Sequence, residues 1–405
     1  MREFLAILVS FATIPVLSRR KVSLGISLII CAFVLSLLSG LGVFTYFEAA
    51  YQTLTDLARV QQYIVVLEIS ILGALLKKYN FIDKIVDSLT KVVKNIRIII
   101  MFIPALIGFL VVPGGAIISA PFIDKIGDDY SIPKTNRGIM NLIFRHIAML
   151  MMPYSNGLLI TALLVPQISI YKVIGLNLVF IAIYIFLGYM LQMRKVEMVE
   201  IKSDEPVSTN LIKLIKYTSP IYIVVFLNLL FNIPFYIGML ANFLAVYLLH
   251  PTKDFFKDIV ESINIKIILS IVGVYLVQNV ISRLGYLNTY LTSVFSNTDT
   301  LVIGIILSSI FFGLTTGISY SSLGVILPIL AQLPISENRL LLLTHYAFIW
   351  GFVSYMFSPL HLCQIFTCEF FEIEQAALYK EYRKFILALV LVALLMYFFW
   401  LPILG

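Results

Sequence analysis

The chain has 405 residues, of which 60% are hydrophobic and only 13% are charged. The apolar residues fall in many long runs separated by short polar loops, which indicates a polytopic α-helical membrane protein and excludes a series of separate soluble domains. The formal net charge of +7 raises the question of a nucleic-acid partner. The three cysteines match neither a disulfide framework nor a zinc pattern, so we expect no metal site.

The placement of the basic residues explains the charge. When the loops are assigned to alternating sides, one side holds 23 of the 29 Lys and Arg residues. The positive-inside rule makes that side cytoplasmic and places both termini outside the cell membrane. The expected surroundings are therefore the lipid bilayer, with no nucleic acid, and a homodimer is left open. The basic loops are 19–21, 77–97, 125–137, 194–216, 253–266 and 380–384.

The first half, residues 1–193, predicts five crossings and one re-entrant hairpin. The hairpin covers about 98–126, where Val111–Gly115 interrupts an apolar run at its midpoint. Each arm is too short to cross a bilayer, which takes about 20 apolar residues. The free backbone groups of such a tip must face protein or water. The five crossings are predicted at about 4–18, 22–42, 60–77, 138–165 and 170–192.

The second half, residues 211–405, repeats this pattern after a polar cytoplasmic linker at 194–210. Its hairpin covers about 300–331 and is interrupted at Leu314–Ser319. Because each half has an odd number of crossings, the second repeat is inverted. The predicted fold class is an all-α polytopic membrane protein of two inverted five-helix repeats, each with a re-entrant hairpin and a broken helix. Its crossings are predicted at about 217–232, 234–250, 265–283, 338–366 and 383–402.

Two further patterns support the duplication. Pro121 and Pro328 lie in the returning hairpin arms, and Pro153 and Pro359 interrupt the helix that follows each hairpin. Residues 79–94 have an apolar stripe at helical spacing opposite a charged face, which predicts an interfacial helix. The uncharged counterpart is predicted at residues 284–297.

With this architecture, the chain resembles the ion transporter superfamily of secondary carriers, which includes divalent anion/sodium symporters, citrate carriers and gluconate permeases. The similarity is most specific at Val111–Pro121 and Met151–Gly157, and within the group the chain most resembles an uncharacterised integral-membrane family. Ser155-Asn156-Gly157 matches two of the three residues in the symporters' Ser-Asn-Thr signature, whereas Ser358-Pro359-Leu360 lacks the Asn. The resemblance implies transport of a small anion, most simply an organic acid, with H⁺ or Na⁺ as the coupling ion and no cofactor.

Hairpin tips and broken helices provide half-helix N-termini that attract anions and free carbonyls that hold cations. On this basis Gly115, Ser155 and Asn156 are also candidates for holding a coupling ion. The alternative is that the Gly and Ser residues only permit close helix packing. The substrate-site candidates from these segments are Gly114, Gly115, Ser119, Ser155, Asn156, Thr315, Thr316, Ser319 and Ser358.

Ionisable residues within spans are costly and often functional. Arg145 is a candidate for binding a substrate carboxylate, unless it extends to the cytoplasmic interface. His345 and His361 lie in the corresponding helix of the second half, and His361 is a further substrate-site candidate. Glu68 is the only acid deep in a predicted span, where a carboxyl can load and release a proton near neutrality. The alternative for Glu68 is a buried structural partner.

We therefore predict a secondary active transporter that works by ion-coupled alternating access, and the interfacial helices favour an elevator motion. A channel or a flippase for a lipid-linked phosphate is the main alternative. An intramembrane Ser/His hydrolase is a distant one, because no spacing singles out a catalytic pair. The sequence has neither a phosphate-binding loop nor a His-Glu-x-x-His or Gly-x-Ser-x-Gly motif, so no enzymatic activity is expected.

Overall fold

The computed structural model describes residues 2–20, 22–109, 115–197, 206–286, 289 and 298–405. Within these ranges the secondary structure is helical and contains no strand, which confirms the predicted all-α class. Buried aliphatic and aromatic side chains from both halves form one core that runs through the bundle.

The first half begins with a helix pair and ends with a long apolar helix. The predicted crossings agree with its helices, but the sequence analysis missed α3, whose Glu48 and Gln52 make it too polar for a span. The helices are α1 (Arg2–Arg19), α2 (Leu24–Ser39), α3 (Gly42–Thr55), α4 (Leu57–Lys78), α5 (Phe81–Val92), α6 (Ile96–Gly108), α7 (Gly115–Asp129), α8 (Lys134–Arg145), α9 (Ile147–Met151), α10 (Asn156–Leu164) and α11 (Ile170–Leu191).

Among its described residues the second half follows a similar order, with one helix, α18 (Glu337–Met356), in the place of α8 and α9. Its predicted interfacial helix at 284–297 lies mostly outside the described residues, whereas the first-half counterpart is α5. The helices are α12 (Val207–Phe231), α13 (Phe235–Leu249), α14 (Phe255–Glu261), α15 (Ile265–Ile281), α16 (Thr298–Thr316), α17 (Leu323–Leu330), α18 (Glu337–Met356), α19 (Leu362–Phe371) and α20 (Gln375–Leu404).

Among the described residues, five helical segments are long and apolar enough to cross a membrane, or six if the bent pair α14 and α15 forms one span. The other predicted crossings correspond to shorter helices, such as α2 with 16 residues and α13 with 15 residues. The full set of ten crossings therefore stays a prediction. The five segments are Leu57–Lys78, Lys134–Leu164, Ile170–Lys195, Val207–Phe231 and Gln375–Leu404.

Helix contacts are exchanged between the halves. Helix α2 packs on α15, and its equivalent α13 packs on α4, the equivalent of α15. Likewise α7 packs on α19, and α17 packs on α10. A duplicated chain whose halves are related by a two-fold axis requires such reciprocal contacts. The division at the linker stays a prediction, because residues 198–205 are outside the described ranges.

The helix that follows each hairpin is broken, as the prolines predicted. In the first half the break lies between Met151 and Asn156, and in the second half it lies between Met356 and Leu362. The first helix has an additional interruption at His146, between α8 and α9, which no proline or glycine signals. The first break is buried from Met152 to Ser155, and in the second break Ser358 and His361 are buried while Pro359 is exposed.

Candidate functional site

The two broken helices meet through a pair of histidines. His146 lies at the C-terminal end of α8, and His361 lies at the N-terminal end of α19. Their Nε2 atoms are 3.1 Å apart, although 215 residues separate them in the chain. Both side chains are buried. The centre of the candidate site is therefore formed by both halves at once.

The surrounding side chains fix the orientation of this histidine pair. The His146 Nδ1 atom lies 2.5 Å from the carbonyl oxygen of Leu142, so Nδ1 donates and Nε2 is left to face His361. The Tyr355 hydroxyl lies 3.4 Å from His146 Nε2, and the Tyr355 ring centroid lies 4.0 Å from that of His361. The Cys363 Sγ atom is 4.0 Å from the same hydroxyl. Sequence analysis missed His146, Tyr355 and Cys363 as members of one cluster.

Arg145 brings a positive charge to this cluster. Its side chain is 5% exposed, which places it inside the protein rather than at the solvent-exposed end of a helix. It interacts electrostatically with Tyr355 and His361. Gly108 ends α6 so close to this point that a Cβ atom there would lie 2.2 Å from the Arg145 carbonyl oxygen. The first hairpin arm therefore packs directly on the interruption next to His146.

The second hairpin tip packs on the break that leads to His361. Gly317 has a φ of +63°, and a Cβ atom on it would lie 2.5 Å from the Leu360 carbonyl oxygen. Ser358 donates to the Leu314 carbonyl at 2.8 Å, and the Thr316 hydroxyl donates to the Phe312 carbonyl at 2.7 Å. The Ser358 hydrogen bond holds the tip against the break, whereas the Thr316 bond lies within α16 itself. The side chain of Thr315 lies outside the described residues.

Most of the first-half candidates also make hydrogen bonds within the bundle, but the first hairpin tip at 110–114 lies outside the described residues. Gly114 lies outside the described residues, and Gly115 begins α7. Ser119 donates to the side chain of Asn141 at 2.5 Å, and Ser155 donates to the Met149 carbonyl at 3.1 Å. Asn141 was missed, although a buried amide within an apolar helix is itself a signal of a functional or structural polar contact.

The first break also contacts the second hairpin tip. Asn156 of the first break interacts with Tyr320 of the second tip. A cavity of about 10 Å³ lies between Gly157 and Ser319, and one of about 20 Å³ lies beside Thr316 and Gln278. Each has room for about one water molecule. At these two places the site therefore has no room for a molecule larger than water.

Two ionisable candidates lie apart from the contacts described above. The Glu68 side chain is 9% exposed, and its Oε2 atom has no hydrogen-bond partner among the described residues. Gln62, six residues earlier in α4, donates to the Leu159 carbonyl of α10 at 2.9 Å. Helical rise places Glu68 about 9 Å further along α4. His345 is buried beside Trp400, about 15 Å along α18 from Tyr355, so the structure does not bring it to the histidine pair.

Comparison with known sequences identifies a family but no characterised relative. No curated protein matches the sequence. A family profile described as "Protein of unknown function (DUF401)" matches residues 3–403. The expectation of an uncharacterised family is confirmed, whereas the match provides no link to the ion transporter superfamily. The family profile covers nearly the whole chain, so the protein belongs to the DUF401 family.

Proposed function

We propose that this protein is a secondary active transporter that moves a small anion, most simply an organic acid, across the cytoplasmic membrane. The observation that carries the proposal is the meeting of two broken helices at the buried His146–His361 pair, beside Arg145. Broken helices that meet inside a bundle are the usual setting of substrate sites in such carriers. The resemblance to the ion transporter superfamily supports the same function.

The charge of the site favours an anion. Helices α10 and α19 begin at the two proline breaks, and a helix N-terminus carries a partial positive charge. Arg145 adds a full positive charge close to Tyr355 and His361. Its planar guanidinium suits a carboxylate or a phosphate, which it binds through two parallel hydrogen bonds.

An ion gradient would drive the transport, with H⁺ or Na⁺ as the coupling ion. Glu68 is the proposed proton carrier, because it is a buried carboxyl with an oxygen that lacks a hydrogen-bond partner. Carbonyl and side-chain oxygens near Gly115, Ser155 and Asn156 are the alternative for sodium. Helix α5, which leads from α4 into the hairpin and packs on α12, would act as the connecting arm of an elevator motion.

Uptake by the purified protein in proteoliposomes tests the proposal. A panel of mono-, di- and tricarboxylates, phosphate and sulfate is offered under an inward H⁺ gradient and, separately, an inward Na⁺ gradient. We expect one class of anion to accumulate under one gradient. Arg145→Gln should abolish this uptake, whereas the control Lys172→Gln should preserve it, because Lys172 is exposed and pairs only with Glu337 among the described contacts.

The absence of gradient-driven uptake for the whole panel would contradict the proposal. A channel would instead give anion flux that substrate on the opposite side of the membrane does not stimulate by exchange. A flippase would move lipid-linked phosphate between the leaflets of the same vesicles. The same preparation distinguishes all three classes. We propose no enzymatic activity.

A further inference from the structure

Three side chains beside the break before α19 have the chemistry of a metal site. His146, His361 and Cys363 each offer one donor atom, and these atoms lie within 4.8 Å of one another. Two of the ligands come from the second half and one comes from the first, so no spacing in the sequence indicates them. Imidazole nitrogen and thiolate sulfur are the donors that zinc and copper prefer.

The geometry of the histidine pair suits a shared ion. Two nitrogen ligands at about 2.1 Å from a tetrahedral zinc ion lie about 3.4 Å apart. The two Nε2 atoms are 3.1 Å apart, which is close to that separation. A movement of the Cys363 thiol by about 1 Å would bring its sulfur to the distance that the third ligand requires.

The contact between His146 and Leu142 is the supporting interaction that metal-binding histidines usually have. The Leu142 carbonyl accepts the Nδ1 proton at 2.5 Å, which leaves the Nε2 lone pair directed at His361. Such hydrogen bonds fix the tautomer and the ring orientation of a ligand. The first nitrogen ligand is therefore already oriented by the fold of α8.

We propose that His146, His361 and Cys363 bind one transition-metal ion of the zinc class. The thiol proton is released on binding, and the thiolate offsets part of the repulsion between the ion and Arg145. Three protein ligands leave a fourth position open, as in many catalytic zinc sites. The Tyr355 hydroxyl lies 3.4 Å from His146 Nε2 and 4.0 Å from Cys363 Sγ, so it is close to two of the proposed ligands. This inference does not depend on the proposed transport function.

Cobalt titration of the full-length protein tests the site. The protein is purified in detergent with a tag that lacks histidine, freed of metal with a chelator, and titrated with Co²⁺. We expect one Co²⁺ per chain, with a thiolate-to-cobalt charge-transfer band that Zn²⁺ abolishes by displacement. Cys363→Ser should remove the band, and both Cys363→Ser and His361→Gln should weaken binding by at least about tenfold.

Two matched variants serve as controls in the same experiment. Cys368→Ser changes the other cysteine of α19, and His345→Gln changes another fully buried histidine. Both should bind Co²⁺ as the wild type does. The proposal is overturned if the wild type does not bind Co²⁺ at one ion per chain. It is also overturned if the charge-transfer band survives Cys363→Ser or disappears in Cys368→Ser.

A chemical-protection measurement on the wild type covers the case in which Cys363→Ser does not fold. Zn²⁺ should slow alkylation of Cys363 by iodoacetamide and leave the rate at Cys368 unchanged, as measured by mass spectrometry of the peptides. Equal rates at Cys363 with and without Zn²⁺ would overturn the proposal. Because binding is measured in detergent without transport, this result is independent of the proteoliposome experiment.

Discussion

Glu68 is nine-tenths buried in the middle of α4, and its Oε2 atom has no hydrogen-bond partner among the described residues. A carboxyl in this position either carries a proton during transport or is a buried structural partner of a neighbouring polar group. The two roles differ in what they require, because only the first requires the group to titrate. Replacement by glutamine keeps the shape and removes the titration.

If Glu68 carries the coupled proton, Glu68→Gln should abolish uptake driven by a pH gradient. Exchange of substrate at equal pH should remain largely intact, because exchange needs no net proton movement. Both activities are measured in proteoliposomes, with Glu337→Gln, which changes an exposed carboxylate, as the control. Loss of both activities would indicate a structural carboxylate, and unchanged driven uptake would exclude Glu68 from the coupling mechanism.

Gly317 is a second residue whose role follows from local geometry. Its φ of +63° is strained for any residue with a side chain, and a Cβ atom would lie 2.5 Å from the backbone oxygen of Leu360. We expect Gly317→Ala to destabilise the protein by about 1–3 kcal/mol and to lower its melting temperature. Gly175→Ala is the matched control, because a Cβ atom there meets nothing within 4 Å. An equal melting temperature for the two variants would contradict this account.

At the scale of elements, hydrogen bonds connect α4 to α14. They lie at the C-terminal end of α4, which the distribution of basic residues places on the cytoplasmic side. Lys78 and Tyr79 each lie 2.7 Å from a different carboxylate oxygen of Asp258, which is itself buried. Burial and the hydrogen bond to Asp258 both raise the pKa of Tyr79, so the phenol stays protonated and donates. Asp258 therefore joins two helices that belong to different halves of the chain.

Asp258→Asn should weaken this connection, because it removes the charge that both donors share. We expect the melting temperature to fall by several degrees. Glu261→Gln is the control and should have a smaller effect, because Glu261 is 53% exposed and contacts the same lysine at 3.2 Å. Thermal unfolding followed in detergent measures both variants. A larger effect of Glu261→Gln would show that Asp258 does not carry the connection.

At the scale of the whole molecule, the distribution of basic loops predicts the orientation in the membrane. In a variant whose three native cysteines are replaced by alanine, Gly405→Cys should react with a membrane-impermeant maleimide in intact cells. Lys253→Cys should react only after the cells are permeabilised, because it lies in a basic loop on the predicted cytoplasmic side. The opposite labelling pattern would invert the topology, and labelling of both in intact cells would contradict the alternation of sides.

The sequence by itself was sufficient for the all-α class, for most of the long apolar helices and for the proline breaks. These features depend on local properties, namely hydropathy over a window of residues and the missing amide hydrogen of proline, so Pro153 and Pro359 mark their breaks wherever the helices pack. It also singled out Arg145, Glu68 and His361 as ionisable residues within predicted spans, because each interrupts an apolar run. Helix α3 was missed because a hydropathy window detects only apolar helices, and the polar residues of α3 lower its average.

Only the tertiary structure decided which of these residues meet. His345 and His361 lie in the same predicted helix, yet only His361 faces His146, and Cys363 joins them while Cys368 does not. A helix directs each side chain by its rotation about the axis, and the partner it finds depends on how helices from distant parts of the chain pack together. That packing is the sum of many weak contacts across both halves, which is why the pairing of His146 with His361 cannot be read from either segment alone.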